Sequence, residues 1–285
     1  GMFLACAATH FFEINSSVFD DAYEKNGVRL VNVVDVIPEC TFAAASVVTS
    51  GNLIISISTS GKSPAMSRRV REHLESKFGS ASFYTFGHED AQAVPLENRQ
   101  LPYPVYLLLK ERQCVVICTS ERMSPQVKKR VSLLRQCGAS ITHMSPAKVN
   151  PHELSDAFLV LVESQCEDDL FAGDQAQLIE YIGAPQAGTF VTPQLVMDED
   201  LIISISAQNE KLVHKDEAQQ MRTKLANQFE NRGYGAFVGF LGSLRPLVLG
   251  TIPTQGERQK FFDTLIESHR HHGLSISHLI RSSHY

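Results

Sequence analysis

The sequence predicts an α/β protein built from Rossmann-like units with parallel sheets, and three observations support this fold class. The apolar segment LIISIS occurs at Leu53–Ser58 and again at Leu201–Ser206. Each occurrence is preceded by short apolar strands and followed by apolar residues at helical spacing. Between them, the strand-like segments Cys114–Cys118 and Ser140–His143 flank a helical pattern. This β-α-β order is typical of a parallel sheet.

The two LIISIS segments belong to a longer internal repeat with a constant offset of 148 residues. Thr41–Ser58 aligns with Thr189–Ser206, and nine of the eighteen aligned positions are identical. The helical patterns that follow place apolar residues at every fourth position and stop before Gly79 and Gly233. We therefore interpret the chain as a tandem duplication.

The two copies differ in length, because only the second begins with the β-α-β unit. The helix of that unit is predicted to begin at Ser124-Pro125, as N-cap and first helical residue, and to end at Gly138. The first copy begins at what would be a later strand of such a unit. The predicted regions are a partial first repeat with the candidate site (1–79), a connector (80–101), a second Rossmann-like repeat (102–232) and a helical C-terminal region (233–285).

Composition and charge exclude several classes of function. The net charge of −5 lacks the basic excess that a nucleic-acid surface needs. No apolar run is long enough to span a membrane. The apolar start, MFLACAA, has no basic region before it, which favours a buried parallel strand over a signal peptide. The six cysteines form no C-x-x-C pair, so we expect reduced, buried thiols in a cytoplasmic protein.

Asp35 is the first candidate for chemistry. The segment Arg29–Val34 predicts a strand, and Asp35 follows at its carboxyl end, where parallel α/β sheets gather ligands and catalytic groups. An aspartate there can be a general base when its surroundings adjust its pKa. The alternative is an aspartate that opens a turn before Pro38. The sequence leaves both roles open.

The loop STSGKSP, Ser58–Pro64, is the second candidate. It follows a strand and opens a helix, with Gly61 in the turn and Ser63 as the N-cap. The free N–H groups of a helix start and nearby cations favour a carboxylate or phosphate site; the cations are Lys62, Arg68, Arg69 and Arg71. The spacing is not that of a P-loop. The alternative is a capped helix with a solvated basic face, and the hydroxyls beside the lysine favour binding.

Two other motifs favour structural roles. GYGAFVG, Gly233–Gly239, lacks both the spacing of a dinucleotide loop and a preceding strand, so it predicts a helix junction. A histidine-rich segment near the C-terminus is more typical of a helix end than of a metal site, and we predict no metal site there; it comprises His269, Arg270, His271 and His272, with His278 beyond it.

The first copy resembles the siroheme synthase family, which comprises precorrin-2 dehydrogenase and sirohydrochlorin ferrochelatase. The resemblance covers an Ala-Thr strand end, an asparagine in the next helix, an N-V-V-D segment and a serine-rich loop before a basic helix. These are Ala8-Thr9, Asn15, Asn32–Asp35 and Ser58–Pro64. Members of the family pair as homodimers around the strand equivalent to LIISIS. The resemblance therefore implies that the two copies pair within one chain as a pseudo-dimer.

The resemblance also implies two reactions on one tetrapyrrole. They are NAD-dependent dehydrogenation of precorrin-2 and insertion of ferrous iron, a substrate, into sirohydrochlorin. Asp35 matches the family's catalytic aspartate. The implied NAD contacts are Thr9, Asn15 and Asn32, and the implied tetrapyrrole contacts are Ser58, Ser60, Lys62 and Ser63.

The chain departs from the family where NAD would bind. The first copy has no glycine-rich turn, and the second has Cys118, Thr119 and Ser120 where glycines would lie. The second copy also places Gly183 over Asp35 and Ala207–Leu212 over the serine-rich loop, so we expect it to be catalytically inactive.

Three hypotheses follow from these departures. The chain keeps both activities, with a glycine-rich turn encoded upstream of Met2. It keeps only the chelatase step, which needs no dinucleotide. Or it is a non-catalytic paralogue that binds a tetrapyrrole or serves as a scaffold. The truncated first copy would expose a sheet edge, which favours pairing with a second chain as a homodimer.

Overall fold

The structure is a computed structural model that describes residues 2–34, 36–50, 53–78, 103–118, 123–149, 154–163, 178–184, 187–207 and 213–272. The chain divides into two compact units. Unit 1 comprises Gly1–Ala43 and Leu107–Thr192, and unit 2 comprises Ala44–Tyr106 and Pro193–Tyr285. Each unit thus contains parts of both sequence copies. The predicted connector, 80–101, lies outside the described residues.

Strands and helices are numbered in chain order within the described residues. The strands are β1 (Leu4–Ala7), β2 (Leu30–Val33), β3 (Phe42–Ala44), β4 (Ser46–Ser50), β5 (Leu53–Ser58), β6 (Val105–Leu107), β7 (Gln113–Ile117), β8 (Ser140–Met144), β9 (Leu159–Glu163), β10 (Leu178–Ile182), β11 (Gln194–Asp198) and β12 (Leu201–Ala207). The α-helices are α1 (Phe12–Phe19), α2 (Pro64–Phe78), α3 (Pro125–Gln136), α4 (Val213–Phe229), α5 (Tyr234–Thr251) and α6 (Gln255–His272). The described residues also form a π-helical turn (Asp20–Lys25) and two 3₁₀ turns (Ile37–Glu39 and Pro146–Lys148).

Unit 1 contains the parallel sheets, which confirms the predicted α/β class. Its larger sheet has the order β10-β9-β7-β8 and all its pairs are parallel. The predicted β-α-β unit is confirmed as β7, α3 and β8, and the Oγ of Ser124 caps α3 by accepting from the N–H of Val127. β1 and β2 form a separate parallel pair. β1 is the parallel strand predicted at MFLACAA, but only Ala7 in it is buried.

Threonines at matching positions of the repeat hydrogen-bond to the backbone of β2 and of β10. The Oγ1 of Thr41 accepts from the N–H of Val31 at 2.8 Å, and the N–H of Thr41 donates back to the Val31 carbonyl. Thr189 makes the same two bonds with Ile179, at 2.9 and 3.0 Å. The 148-residue offset relates Thr41 to Thr189 and Val31 to Ile179. The Thr-Phe that starts the aligned segment therefore has the same backbone role in each copy.

Unit 2 is built around the two LIISIS strands. Its sheet has the order β11-β12-β5-β4 and its pairs are antiparallel. β5 and β12 are the central strands, and Ser56 lies opposite Ser204, its own counterpart in the repeat. Their hydroxyls share a hydrogen bond, and the hydroxyl of Tyr106 donates to the Ser56 carbonyl at 2.8 Å.

Helices cover the apolar face of this sheet. The strand isoleucines at positions 55, 57, 203 and 205 are almost fully buried against side chains of α2, α4 and α5, including Leu74, Leu225 and Leu241. The predicted ends of the two repeat helices are confirmed, since α2 ends at Phe78 and α4 at Phe229. The helical character of the region after Gly233 is also confirmed, by α5 and α6.

Three further predictions from the sequence can be compared with the structure. Gly233 has a left-handed backbone (φ 81°) at the start of α5, so GYGAFVG is the predicted helix junction. The described cysteines form no disulfide with one another, but the expectation that all are buried is wrong, because Cys6 and Cys137 are exposed. Within the described part of the chain, no helix has the length and apolar character needed to cross a membrane.

Candidate functional site

The predicted site residues lie in both units, and each group is described within its own unit. Thr9, Asn15 and Asn32 are in unit 1, whereas the loop Ser58–Pro64 is in unit 2. Asp35 lies outside the described residues. So do Thr119 and Ser120, two of the three residues predicted to block dinucleotide binding in the second copy.

Thr9 and Asn15 bind each other at the carboxyl end of β1. The Oδ1 of Asn15 accepts from both the N–H and the hydroxyl of Thr9, at 3.0 and 2.7 Å. The Nδ2 of Asn15 donates back to the Thr9 carbonyl at 3.0 Å. Asn15 is buried and Thr9 is exposed. The asparagine thus fixes the turn between β1 and α1, and both its Oδ1 and its Nδ2 hydrogen-bond within the chain.

Asn32 is also engaged within unit 1. Its Nδ2 donates to the Phe42 carbonyl at 2.9 Å and lies 3.5 Å from the Sγ of Cys40. Cys40 lies close to the end of β2, and its Sγ accepts from the N–H of Val33. Burial raises the pKa of the Cys40 thiol. The Asn32 amide therefore ties β2 to the segment that follows it.

Apolar side chains are exposed where β1 and β2 end. Phe11 and Phe12 are 67% and 63% exposed, and Ile37 is 57% exposed. In the same region the Oε1 of Glu39 accepts from the Ser16 hydroxyl at 3.0 Å, while its Oε2 is buried without a hydrogen-bond partner. This end of the pair thus combines a carboxylate with an apolar surface.

The loop Ser58–Pro64 is held by its own hydroxyls. The Oγ of Ser58 accepts from the N–H of Ser60, and the Oγ1 of Thr59 donates to the Ser63 carbonyl at 3.0 Å. The Oγ of Ser63 accepts from the N–H of Met66, which makes Ser63 the predicted N-cap of α2. Ser60 and Gly61 both have left-handed backbones, with φ of 52° and 75°.

These bonds separate the predicted tetrapyrrole contacts into two groups. Ser58 and Ser63 are buried, and their hydroxyls act within the loop. Ser60 and Lys62 are exposed, so they are the two predicted contacts that a ligand can reach without rearrangement.

The predicted cations around this loop all have acidic partners. The Nζ of Lys62 lies 2.7 Å from the Oδ2 of Asp200. The three arginines of α2 form ion pairs of 2.6 to 3.0 Å: Arg68 with Asp263, Arg69 with Glu267, and Arg71 with Glu75. A crevice of about 300 Å³ lies between α2 and α6 where Asp263 and Glu267 meet the first two arginines. The basic start of α2 is therefore largely neutralised.

Residues of α5 contact the loop, and sequence reasoning missed them. The Nη1 of Arg245 donates to the Gly61 carbonyl at 2.9 Å. One turn earlier, a Cβ at Gly242 would lie only 2.9 Å from the Cβ of Lys62. Gly235 is packed even more closely on the Asp198 carbonyl, and its N–H donates to the Asp198 side chain. The helical spacing of these glycines was the available signal for a tightly packed helix face.

The second copy differs where the first has predicted site residues. Gly183, opposite Asp35 in the repeat, has a left-handed φ of 96° and no side chain to supply a carboxylate. Glu180 stands opposite Asn32, is buried, and pairs with Arg130 at 3.1 Å. Its carboxylate also accepts from the N–H and hydroxyl of Thr192. The histidine-rich segment lies at the end of α6, and His278 is outside the described residues.

Comparisons with known proteins match the loop and the helix after it. The model of the sirohaem biosynthesis protein central family matches residues 51–77. The chain is 45% identical over 76 residues to "Siroheme synthase 1" of Pectobacterium atrosepticum, which covers 27% of this chain and 15% of that protein. It is 45% identical over 75 residues to "Siroheme synthase 1" of Cronobacter sakazakii, covering 26% and 16%.

A third relative gives the same result. The chain is 40% identical over 75 residues to "Siroheme synthase" of Photobacterium profundum, which again covers 26% of this chain and 16% of that protein. The chain therefore spans less than a fifth of the length of the curated relatives it matches.

Proposed function

We propose that this chain, which matches the sirohaem biosynthesis protein central family over residues 51–77, acts in siroheme biosynthesis, as a sirohydrochlorin ferrochelatase. The observation that supports this most directly is the family match over residues 51–77, which contains Ser60 and Lys62. In this proposal Asp35 is the catalytic residue, and the exposed members of the loop contact the tetrapyrrole. The carboxylates of the macrocycle suit an ammonium such as that of Lys62.

Iron insertion places a proton-transfer demand on the protein. The pyrrole N–H groups lose their protons as ferrous iron, a substrate, enters the macrocycle. A carboxylate held near those groups can accept the protons as a general base, and we assign this role to Asp35. The buried Ser58 and Ser63 act indirectly in this proposal, because they hold Ser60 and Lys62 in place.

The described residues do not fit a dinucleotide, so the proposal includes no NAD-dependent step. A pyrophosphate needs a glycine-rich turn that lets the backbone approach it closely. The first copy has no such turn among the described residues, and Thr9, a predicted NAD contact, is bonded to Asn15. The amides of Asn15 and Asn32 are engaged within the chain. As NAD contacts, Thr9, Asn15 and Asn32 stay predictions, and so does the precorrin-2 dehydrogenase activity.

We further propose that the two sequence copies form a pseudo-dimer within one chain. The antiparallel register of β5 and β12, with Ser56 opposite Ser204, supports this arrangement. The outer strands support it too, since β4 and β11 occupy corresponding positions in the sheet. The proposed homodimer is a separate interaction, supported by β1, whose second edge has no partner strand among the described residues. Sedimentation velocity would measure that self-association.

The test of the function is anaerobic iron insertion into sirohydrochlorin, followed by the absorbance change on metallation. We expect turnover by the wild-type chain and a loss of about 100-fold or more in Asp35→Asn, which keeps the size but removes the base. Asp21→Asn, an exposed aspartate paired with Lys25, is the matched control and should keep full activity. Tetrapyrrole binding without iron insertion by the wild type would support the non-catalytic paralogue instead. Micromolar binding of NAD by calorimetry would return the dehydrogenase step to the proposal.

A further inference from the structure

We propose that Asp200 determines ligand affinity at the loop, because its carboxylate is an internal counter-anion of Lys62 that a ligand carboxylate must replace. This inference rests on the proposed function, since it assumes that a polycarboxylated tetrapyrrole binds at Lys62. Its basis is the ion pair between residues 138 positions apart, with 2.7 Å between the Lys62 Nζ and the Asp200 Oδ2.

The exposure of the pair permits exchange. The side chain of Lys62 is 46% exposed and that of Asp200 is 25% exposed. Ion pairs in contact with water contribute little to stability, because solvent competes for both charges and salt screens them. A carboxylate from a ligand can therefore take the place of Asp200 on the ammonium without unfolding the loop. A fully buried pair would not allow this.

The lysine is held in position by α5. Gly242 lies so close that a Cβ there would be 2.9 Å from the Lys62 Cβ. Arg245, one turn later, fixes the neighbouring Gly61 carbonyl with a 2.9 Å hydrogen bond. The stem of Lys62 is thus confined while its ammonium stays accessible. A confined cation loses less conformational entropy when it binds an anion.

The turn between β11 and β12 holds Asp200 beside Lys62. Asp200 lies in the turn between β11 and β12, where Glu199 has a left-handed φ of 49°. The preceding Asp198 anchors that turn by accepting from the N–H of Gly235 at 3.3 Å. Asp200 therefore remains near Lys62 when a ligand carboxylate arrives, and it repels that carboxylate. In its ionised form it lowers the affinity of the loop for anions.

The ion pair has no counterpart in the other half of the repeat. The 148-residue offset places Asn52 opposite Asp200 and Glu210 opposite Lys62. The aligned positions thus have a carboxylate in place of the Lys62 ammonium and a neutral amide in place of the Asp200 carboxylate. The pairing of Lys62 with Asp200 belongs to the one loop that matches the family.

The test uses the 285-residue chain and the fluorescence of uroporphyrin, a stable polycarboxylated porphyrin, titrated at low and at physiological salt. We expect Asp200→Asn to bind uroporphyrin about three-fold more tightly than the wild type, and Asp200→Glu to resemble the wild type. Lys62→Met should bind several-fold more weakly. Asp21→Asn is the matched control, because it also removes one negative charge from a lysine at 2.7 Å, and its affinity should not change.

A purely structural ion pair predicts no gain in affinity for Asp200→Asn, since a loosened loop would bind no better. Unchanged or weaker binding by Asp200→Asn, with the wild type binding, would overturn this inference and leave the proposed function standing. An equal gain in Asp21→Asn would also overturn it, because the effect would then be one of net charge. Absence of binding by the wild type and by Asp200→Asn would overturn the proposed function together with it.

Discussion

The strands β2 and β10 of unit 1, which the 148-residue offset relates, share backbone hydrogen bonds and differ in chemistry. In both, a threonine after the strand bonds to the strand's second residue, through Thr41 for β2 and Thr189 for β10. One position further along each strand the copies diverge. Asn32 ties β2 to the next segment, whereas Glu180 forms an ion pair with Arg130 from α3.

This difference shows that two aligned segments can keep the same backbone hydrogen bonds while their side chains differ. The backbone bonds depend on a threonine at one position and tolerate changes around it. The neutral amide of Asn32 hydrogen-bonds to the Phe42 carbonyl and to the Cys40 Sγ. Glu180, in contrast, requires a cation and two further donors, which occupy the space beside the strand. The second copy has thus become structural at the position where the first is a candidate for binding.

The largest expected effect on stability tests this contrast. Arg130→Met removes the partner of a buried carboxylate and should lower the free energy of unfolding by about 3 kcal/mol. Asn32→Ala removes one neutral hydrogen bond from a half-buried amide and should cost only about 1 kcal/mol. Urea denaturation followed by circular dichroism measures both.

A control separates charge from packing in that experiment. The double variant Arg130→Met with Glu180→Leu leaves no unpaired charge and should recover much of the stability lost in Arg130→Met. If Asn32→Ala proved as costly as Arg130→Met, the first copy would depend on its polar residue as strongly as the second, and the contrast would fail.

A smaller effect is expected at the shared threonines, where the copies differ in burial. Thr41 is fully buried, so Thr41→Val leaves the Val31 N–H without an acceptor and should cost about 2 kcal/mol. Thr189 is exposed, so water can replace its hydroxyl and Thr189→Val should cost less than about 1 kcal/mol. Thermal unfolding of the two isosteric variants checks the difference. Equal losses would mean that burial does not distinguish the two copies.

Local patterns in the sequence predicted the local structure well. The β-α-β unit, the Ser124 and Ser63 caps, and the ends of the repeat helices at Phe78 and Phe229 are determined by periodicity and capping within a few residues. The internal repeat aligned the two LIISIS strands, and the family resemblance implied that they pair. Neither predicted that they form an antiparallel sheet in one unit while the parallel pairs lie in the other.

The chemistry of the loop could be predicted only in part, because its contacts are long-range. Spacing identified Ser58–Pro64 as a capped turn, and the cap geometry follows from neighbouring residues. The partner of Lys62 is 138 residues away and the contact from Arg245 is 184 residues from Gly61. No local pattern encodes such pairs, so the expected basic surface is in fact balanced by acidic side chains.

Two cysteines of unit 1 differ in burial, so each can report whether its strand is covered by other parts of the protein. Cys114 lies on β7 between β8 and β9, is fully buried, and has a thiol pKa raised by that burial to about 11. The unfolded thiol ionises near pH 9, so the folded state loses stability as the pH rises from about 9 towards 11, by about 1 kcal/mol at pH 10. Cys114→Ala should flatten this slope in urea denaturation.

Cys6 lies on β1 and is exposed, so it should react with iodoacetamide at pH 8 while Cys114 does not. Protection of Cys6 that increases with protein concentration would indicate that a second chain covers β1, whereas rapid labelling at every concentration would leave that edge open in solution.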